Sequence, residues 1–276
     1  MNGRSGPDVT EGVLTHGLPY RAFGSGRPLL LLRWFAPDHA NPTGLLRISE
    51  TAILEPLARC FRVYAVSRAP GMAAGTTMAE IAAEHADAIS AEFGTAVDVL
   101  GISSGGSIGL QMAADHPDAV RTLTVASSGD TLSEAARTAQ MNYASALAAG
   151  RRGLHHLAPA VSGSRILAGF ASVVMWLADP LLRPACAADA VAFLRAEDVF
   201  DIGARLGDIT APTLVIGGDR DTGYPVETFR RTAAGIPGAR LIIYPGATHM
   251  GVIRHARFAE DVASFTATCP RWHSRR

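Results

Sequence analysis

Short apolar runs alternate with helical stretches along most of this 276-residue chain. The runs are rich in Val, Ile and Leu, and they occupy residues 28–32, 62–66, 97–100, 120–125, 212–216 and 240–244. Short strands that are apolar on both faces are typical of a parallel sheet covered by helices on each side. The pattern therefore predicts βαβ units with right-handed crossovers.

Helical patterns lie between these runs and predict the layers that cover the sheet. Apolar residues recur at helical spacing in segments 76–93, 104–114, 225–234 and 257–268. Before the first run, two short extended pieces flank a break at residues 17–19 and predict a hairpin. The fold class predicted is α/β, with a mostly parallel sheet and helices on both faces.

One long segment, residues 129–202, interrupts the alternation with an alanine-rich helical pattern and no convincing strand. Its place after the strand at 120–125 predicts a helical cap, inserted into a core formed by residues 1–128 and 203–276. The longest apolar run of the cap, residues 166–178, is shorter than the roughly 20 residues that cross a bilayer. We therefore expect no membrane span, and a buried helix or a lid helix here, with a membrane-facing lid as the alternative.

The charged residues exclude several classes of function. All 25 cationic residues are arginine, since the chain has no lysine, and 25 acidic residues balance them. A Schiff-base lysine, the usual type of PLP enzyme and a Walker phosphate loop are therefore excluded. The net charge of zero indicates no nucleic-acid partner. Because the N-terminus lacks an apolar signal segment, we expect a cytoplasmic protein that acts on a small molecule.

Neither the cysteines nor the histidines form a pattern that binds a metal. Cys60, Cys186 and Cys269 are far apart and lack CxxC spacing, so each is expected to be a small buried side chain rather than a disulfide or a reactive thiol. His155 and His156 are adjacent, and on a helix they would point about 100° apart. We expect neither a metal nor a cofactor.

Ser103 is the predicted nucleophile, because it lies at the centre of a GxSxG motif at residues 101–105. The motif follows the strand at 97–100 and precedes a helix, a context in which flanking glycines permit a tight turn that exposes the hydroxyl. An overlapping second match is centred on Ser107, one turn inside the helix, where glycines would serve packing.

The segment 101–117, Gly-Ile-Ser-Ser-Gly-Gly-Ser-Ile-Gly-Leu-Gln-Met-Ala-Ala-Asp-His-Pro, resembles the nucleophile elbow of the α/β-hydrolase superfamily. The resemblance extends over about residues 13–268 and implies an eight-stranded sheet, an inserted cap and the chain order nucleophile, acid, histidine. In that order Asp221 is expected to be the orienting acid and His249 the base. Asp219 is the alternative acid, although its place just after a strand also suits a turn-capping role.

Hydrolysis through a serine also needs N–H donors for the oxyanion. The backbone N–H of Ser104, directly after the nucleophile, is the first expected donor. In the superfamily the second donor follows a His-Gly pair, where this chain has Arg33 and Trp34, so the backbone N–H of Phe35 is expected to replace it. Arg33 is expected either to contact a substrate anion or to pair with a nearby carboxylate.

The predicted function is that of a cofactor-free serine hydrolase that cleaves an ester or thioester of a small to medium apolar substrate through an acyl-enzyme. Trp34, Met175 and Trp176 are expected to contact the substrate. The acyl pocket is expected to be formed by apolar cap residues, namely Phe170, Val173, Val174, Met175, Trp176 and Leu177. Alternatives are acyl transfer, lactonisation or C–C bond hydrolysis by the same triad, and a non-catalytic binding protein. Because the elbow has a serine and not an aspartate as its nucleophile, we do not expect a haloalkane dehalogenase or an epoxide hydrolase of this fold.

Overall fold

The computed structural model describes residues 9–161 and 165–269, so the expectation about the N-terminal segment falls partly on residues outside it. Its strands are β1 (Thr10–Val13), β2 (Pro19–Gly24), β3 (Pro28–Leu32), β4 (Arg62–Val66), β5 (Val97–Ile102), β6 (Val120–Ala126), β7 (Thr213–Gly218) and β8 (Arg240–Tyr244). Its helices are α1 (Gly44–Ala58), α2 (Met78–Phe93), α3 (Ser104–Asp115), α4 (Glu134–Ala148), α5 (Ala158–Val161), α6 (Arg165–Ala178), α7 (Ala187–Asp198), α8 (Val226–Gly235), α9 (His249–Ile253) and α10 (Phe258–Thr268).

The strands form one eight-stranded sheet in the order β1-β2-β4-β3-β5-β6-β7-β8. Strand β2 runs antiparallel to both β1 and β4, and the other neighbouring strands are parallel. Side chains of β3 alternate between two cores, because successive residues of a strand point to opposite faces. Leu30 and Leu32 face α2 and α3, whereas Leu29 and Leu31 face α1 and α10. The predicted α/β fold, with helices on both faces, is confirmed.

The order of the strands creates a crevice between β3 and β5. After β3 the chain crosses to β4 on one side, and it then returns past β3 to form β5 on the other side. In open α/β sheets, such a reversal opens a crevice beyond the carboxyl ends of the two strands that flank it. The residues that follow β3 and β5, which include Phe35 and Ser103, are therefore brought to the same crevice.

Helix α1 was not predicted from the sequence. Its buried side, with Ile53, Leu54 and Leu57, packs against the sheet, but Leu45 and Ile48 are exposed large apolar residues. Apolar residues on both sides weaken the period by which a helix is recognised. A proline at position 56, inside the last turn, also argues against a helix when only the sequence is considered.

The cysteines correct one expectation. Cys60 and Cys186 are exposed, and Cys269 is partly exposed, so the prediction of buried side chains is wrong for the first two. Cys60 lies in the turn after α1, and Cys186 immediately precedes α7. These positions between elements point into solvent rather than into either core. All three are free thiols.

Helices α4 to α7 follow β6 and precede β7 in the chain. Tyr143 and Leu147 of α4 pack against Val191 and Leu194 of α7 in a small core of their own. An isolated β-bridge between residues 131 and 201 joins the two ends of the segment. The segment therefore has the helical character that the sequence predicted.

Helix α6 is an exposed helix. Phe170 is 72% exposed and Leu177 is 61% exposed, so the alternative of a buried helix is wrong. Asp179 directly after the helix accepts hydrogen bonds from the backbone N–H groups of Gly153 and Leu154, each at 2.8 Å, and so joins α6 to the turn before α5. In the described part of the chain, no helix is both long enough and apolar enough to span a membrane.

Candidate active site

Ser103 lies on a tight turn between β5 and α3. Its backbone has φ 52° and ψ −123°, a conformation that few residues other than glycine adopt. A side chain at Gly105 would overlap the carbonyl oxygen of Leu32, so only glycine lets the start of α3 approach the end of β3. The turn therefore presents the Ser103 hydroxyl at the crevice between these strands.

Asp221 lies in the loop after β7, and its side chain is fully buried. One oxygen, Oδ1, accepts hydrogen bonds from the backbone N–H groups of Gly223 at 2.9 Å and Tyr224 at 3.0 Å. The other oxygen, Oδ2, lies 2.8 Å from His249 Nδ1. The loop itself thus holds the carboxylate in one orientation and leaves the second oxygen for the histidine.

Asp219, the alternative acid, lies in a different environment. It is exposed, and its Oδ1 accepts a hydrogen bond of 2.6 Å from the backbone N–H of Gly246. This contact joins the loop after β7 to the turn after β8. The geometry places Asp221, and not Asp219, beside the ring of His249.

His249 is the first residue of α9, and its ring lies between a carboxylate and a hydroxyl. Its Nε2 lies 2.9 Å from the Oγ of Ser103, while its Nδ1 faces Asp221. A carboxylate only accepts hydrogen bonds, so Nδ1 carries the proton and Nε2 is left to accept from the serine hydroxyl. The structure therefore brings the three predicted residues into one hydrogen-bonded chain.

Two further residues hold the histidine, and the sequence analysis did not identify them. The Ser127 hydroxyl donates a hydrogen bond of 2.8 Å to the backbone carbonyl of His249. Ser127 directly follows β6 and has a positive φ of 49°. The ring of Tyr224 stacks on the imidazole, with centroids 6.1 Å apart. A serine with positive φ directly after a buried strand is visible only in the structure.

Both predicted oxyanion donors lie where strands end at the crevice. Ser104 is the first residue of α3, so its backbone N–H has no acceptor within the helix. Phe35 follows β3, and its ring stacks on Phe193 of α7 at 6.2 Å and meets Tyr143 of α4 edge-on at 6.0 Å. The side chain of Phe35 thus contacts the helical segment, while its backbone belongs to the loop after β3.

Arg33, at the position where the resemblance to the superfamily implies a histidine, pairs with a carboxylate. Its Nε donates to Glu50 Oε1 at 2.5 Å, and its second terminal nitrogen donates to Glu50 Oε2 at 3.1 Å. Arg21 of β2 donates to the same carboxylate at 2.8 Å. All three side chains are buried. Of the two expectations for Arg33, the structure supports pairing with a carboxylate, because its guanidinium donates two hydrogen bonds to Glu50 of α1.

Replacing Glu50 with alanine should lower the free energy of unfolding by about 3–5 kcal/mol, because the buried Arg33 would lose its carboxylate and the buried Arg21 would keep only Glu11, at 3.6 Å. Chemical denaturation of the purified variant measures the change. Glu55→Ala is the matched control, since Glu55 lies on the same helix in an exposed pair with Arg59 at 3.6 Å and should cost less than about 1 kcal/mol. Equal losses in the two variants would contradict a structural role for the buried pair.

The predicted substrate contacts lie in two places. Trp34 is partly buried and packs against the core on the α1 and α10 side of the sheet. Met175 and Trp176 lie on α6, where Trp176 is 45% exposed and Arg152 lies 4.0 Å above its ring. Their role in binding a substrate stays a prediction. Among the described residues, no three His, Cys, Asp or Glu side chains are arranged to hold a metal ion.

Known proteins share parts of this sequence. A 2-hydroxymuconate semialdehyde hydrolase of Pseudomonas putida is 28% identical over 97% of this chain and 98% of its own length. A 2-hydroxy-6-oxononadienedioate/2-hydroxy-6-oxononatrienedioate hydrolase of Cupriavidus pinatubonensis is 46% identical, but only over 57 residues, or 21% of this chain and 20% of that protein. A pimeloyl-[acyl-carrier protein] methyl ester esterase of Neisseria meningitidis is 28% identical over 62% of this chain and 57% of its length.

The fold also has close counterparts among solved structures. A hydrolase from Pseudomonas aeruginosa PA01 superposes with a TM-score of 0.72 at 24% identity, over 95% of this chain and 99% of that one. The sequence matches the Alpha/beta hydrolase family over residues 13–261, which is most of the chain. The protein therefore belongs to the alpha/beta hydrolase family.

Proposed function

We propose that this protein is a cofactor-free serine hydrolase that cleaves an ester or thioester of a small to medium apolar substrate. The observation that carries the proposal is the chain of hydrogen bonds from Ser103 Oγ to His249 Nε2 at 2.9 Å and from His249 Nδ1 to Asp221 at 2.8 Å. A serine hydroxyl is a weak nucleophile until a base accepts its proton, and the base needs a third group to orient it.

Each group has a defined role in this reaction. The Ser103 oxygen attacks the carbonyl carbon while its proton moves to Nε2 of His249, and Asp221 stabilises the imidazolium that forms. The N–H groups of Ser104 and Phe35 donate hydrogen bonds to the oxyanion. When the tetrahedral intermediate collapses, it expels the alcohol or thiol, which takes the proton from His249. Water then attacks the acyl-enzyme and gives its proton to His249. The bond between the acyl carbon and the Ser103 oxygen breaks, this oxygen takes the proton back from His249, and the acid leaves.

Residues 129–202 act in this proposal as a cap over a core of residues 1–128 and 203–276. The segment lies against the loop that carries the acid, since the Thr222 hydroxyl donates to the carbonyl of Pro159 at 2.8 Å. It also lies against Phe35, whose ring contacts both Tyr143 and Phe193. The proposed substrate contacts Trp34, Met175 and Trp176 would border the entrance to the crevice between these two points.

A second candidate function is hydrolysis of a C–C bond by the same three residues. The observation in its favour is the match, over nearly the full length of both chains, to a protein named as a 2-hydroxymuconate semialdehyde hydrolase. Such a reaction would also produce a carboxylic acid, but its leaving group is a carbon and not an oxygen or sulfur. The match to a protein named as a methyl ester esterase covers less of this chain and favours the first candidate.

Turnover of two substrates by one preparation tests the proposal. The purified protein should hydrolyse a short p-nitrophenyl ester and be labelled by a fluorophosphonate at one serine per chain. It should have a much lower kcat/KM for a 2-hydroxy-6-oxo-dienoate than for the ester. The opposite ranking of kcat/KM would favour the C–C hydrolase. The absence of both turnover and labelling would favour a non-catalytic binding protein.

The exposed helix α6 should influence which acyl chain is accepted. One buried methylene in a pocket is worth about 1–3 kcal/mol, so kcat/KM should rise along a series of p-nitrophenyl esters from C2 until the pocket is filled. Trp176→Ala should flatten that rise if α6 borders the pocket. Leu45→Ala, on an exposed side of α1, is the control and should leave the slope unchanged. Equal slopes in the wild type and Trp176→Ala would place the acyl pocket elsewhere.

A further inference from the structure

Glu197 is a buried carboxyl directly behind the nucleophile turn, and the proposed chemistry does not use it. It lies in the last turn of α7 and is 1% exposed. It accepts hydrogen bonds from the hydroxyls of Ser104 at 3.0 Å and Ser107 at 3.3 Å, and from the side-chain amide of Gln140 at 3.2 Å. The carboxyl therefore joins α4 and α7 to the first turn of α3, which begins one residue after the nucleophile.

A buried carboxylate at this contact is costly. Burial raises the pKa of Glu197, and the hydrogen bond from Ser104 and the charge of Arg68 oppose that effect. An apolar side chain of similar size would join two helices at least as well as a buried ion. Packing alone therefore does not explain why a carboxyl contacts the helix that follows the nucleophile.

Arg68, whose charge lowers the pKa of Glu197, is itself held in place. It is buried, and its guanidinium lies 4.0 Å from the ring centroid of Phe193. Its Nε donates to Nε2 of His39 at 3.2 Å, and a terminal nitrogen donates to the carbonyl of Ala36 at 2.9 Å. Burial lowers the pKa of Arg68 to about 10. The positive charge therefore lies between the loop after β3 and α7, with little freedom to move.

The hydroxyl that Glu197 binds belongs to the residue that carries the first proposed oxyanion donor. The backbone of Ser103 is in a sparsely populated conformation. The carbonyl end of the peptide group between Ser103 and Ser104 accepts a hydrogen bond of 2.7 Å from the backbone N–H of Gly106. On one side, Gly105 already contacts the end of β3. On the other side, the side-chain hydrogen bond of Ser104 to Glu197 resists rotation of that peptide group.

We propose that Glu197 is a positioning residue, whose carboxylate holds the Ser104 hydroxyl and so keeps the Ser104 N–H directed at the oxyanion. The proposal rests on the serine mechanism proposed above. Because Glu197 and Gln140 belong to the helical segment, the cap contributes to the oxyanion site through this contact as well as by covering the crevice.

The test compares Glu197→Leu, Glu197→Gln and Asp189→Asn. Asp189 is the matched control, because it is another buried carboxyl of α7 that accepts hydrogen bonds from Gly71 at 2.9 Å and Met72 at 3.0 Å. Glu197→Leu should lower kcat for p-nitrophenyl acetate by about tenfold to a hundredfold, with KM nearly unchanged, since a displaced donor loses transition-state stabilisation only. Glu197→Gln should recover most of kcat, because its amide oxygen can accept from Ser104. Asp189→Asn should lower Tm and leave kcat unchanged.

Three results would overturn the proposal. They are wild-type kcat in folded Glu197→Leu, equal losses in Glu197→Gln and Glu197→Leu, and a loss in Asp189→Asn as large as that in Glu197→Leu. Rates are divided by the number of sites that a fluorophosphonate labels, so unfolded protein does not count. If the wild type is neither labelled nor active, the serine mechanism fails and the proposal with it. If the wild type is active and Glu197→Leu equals it, only the role of Glu197 fails.

Ser104→Ala keeps the test decisive if Glu197→Leu does not fold. This variant removes only the hydroxyl and should lower kcat by about tenfold. In the double variant with Glu197→Gln, kcat should fall no further than in Ser104→Ala alone, because without the Ser104 hydroxyl the side chain at position 197 no longer acts on that residue. Wild-type kcat in Ser104→Ala, or losses that multiply in the double variant, would overturn the proposal.

Discussion

Replacing Ser103 with alanine should lower kcat for ester hydrolysis by about 10⁴-fold or more, with Tm close to that of the wild type. The hydroxyl is the atom that forms the acyl-enzyme, and no other described serine hydroxyl lies within hydrogen-bond distance of His249 Nε2. His249→Ala should cost a similar factor, because the members of such a chain act as a unit. Steady-state kinetics at a saturating p-nitrophenyl ester measures both effects.

Two controls accompany this experiment. Ser90→Ala changes an exposed serine of α2 and should leave kcat unchanged. Fragment mass spectrometry of the fluorophosphonate adduct should place the label on Ser103 and not on Ser107, which lies in the overlapping motif. Retention of more than a few per cent of wild-type activity by purified Ser103→Ala would exclude the serine mechanism.

Replacing Asp221 with asparagine should lower kcat by about 10⁴-fold, because an amide in place of the carboxylate favours the wrong tautomer of the histidine. In the native protein, the buried Asp221 accepts from Nδ1 of His249, which leaves Nε2 unprotonated toward Ser103. An asparagine amide can donate to Nδ1 instead, so the proton would move to Nε2 and the ring could no longer act as a base. Comparison of kcat for Asp221→Asn with kcat for the wild type at neutral pH measures the effect.

Asp219→Asn is the matched control for this change. Its carboxylate accepts from the N–H of Gly246 and lies on the surface of the loop after β7. Loss of that charge-assisted hydrogen bond should reduce the free energy of unfolding by about 1–2 kcal/mol and leave kcat nearly unchanged. A larger loss of kcat in Asp219→Asn than in Asp221→Asn would reassign the orienting role to Asp219.

Local pattern was sufficient for the strands and for the nucleophile turn. A parallel strand buried on both faces needs a short apolar run, and a turn at Ser103 needs glycines at fixed positions around it. Both requirements concern residues that are close in sequence, so they can be recognised without the fold. Local pattern was not sufficient for helix α1, because Leu45 and Ile48 on its solvent side concealed the helical period.

The partners of charged side chains depended on the tertiary structure. Arg33 had two possible roles in the sequence, and the choice depends on Glu50, which reaches it from α1 when that helix packs on the sheet. Glu197 is 93 residues from Ser104 in the chain, yet the two are hydrogen-bonded. Residues so far apart leave no shared period or motif.

By itself, the sequence determined the α/β class, the inserted helical segment and the turn at Ser103, because each follows from local residue order. Resemblance to a family added the expected positions of Asp221 and His249. Only the tertiary structure decided that the loops after β3 and β5 meet at one crevice, that Asp221 rather than Asp219 faces the imidazole, and that α6 is exposed. The physical reason is that hydrogen bonds and burial depend on distances in space, which strand order and helix packing determine.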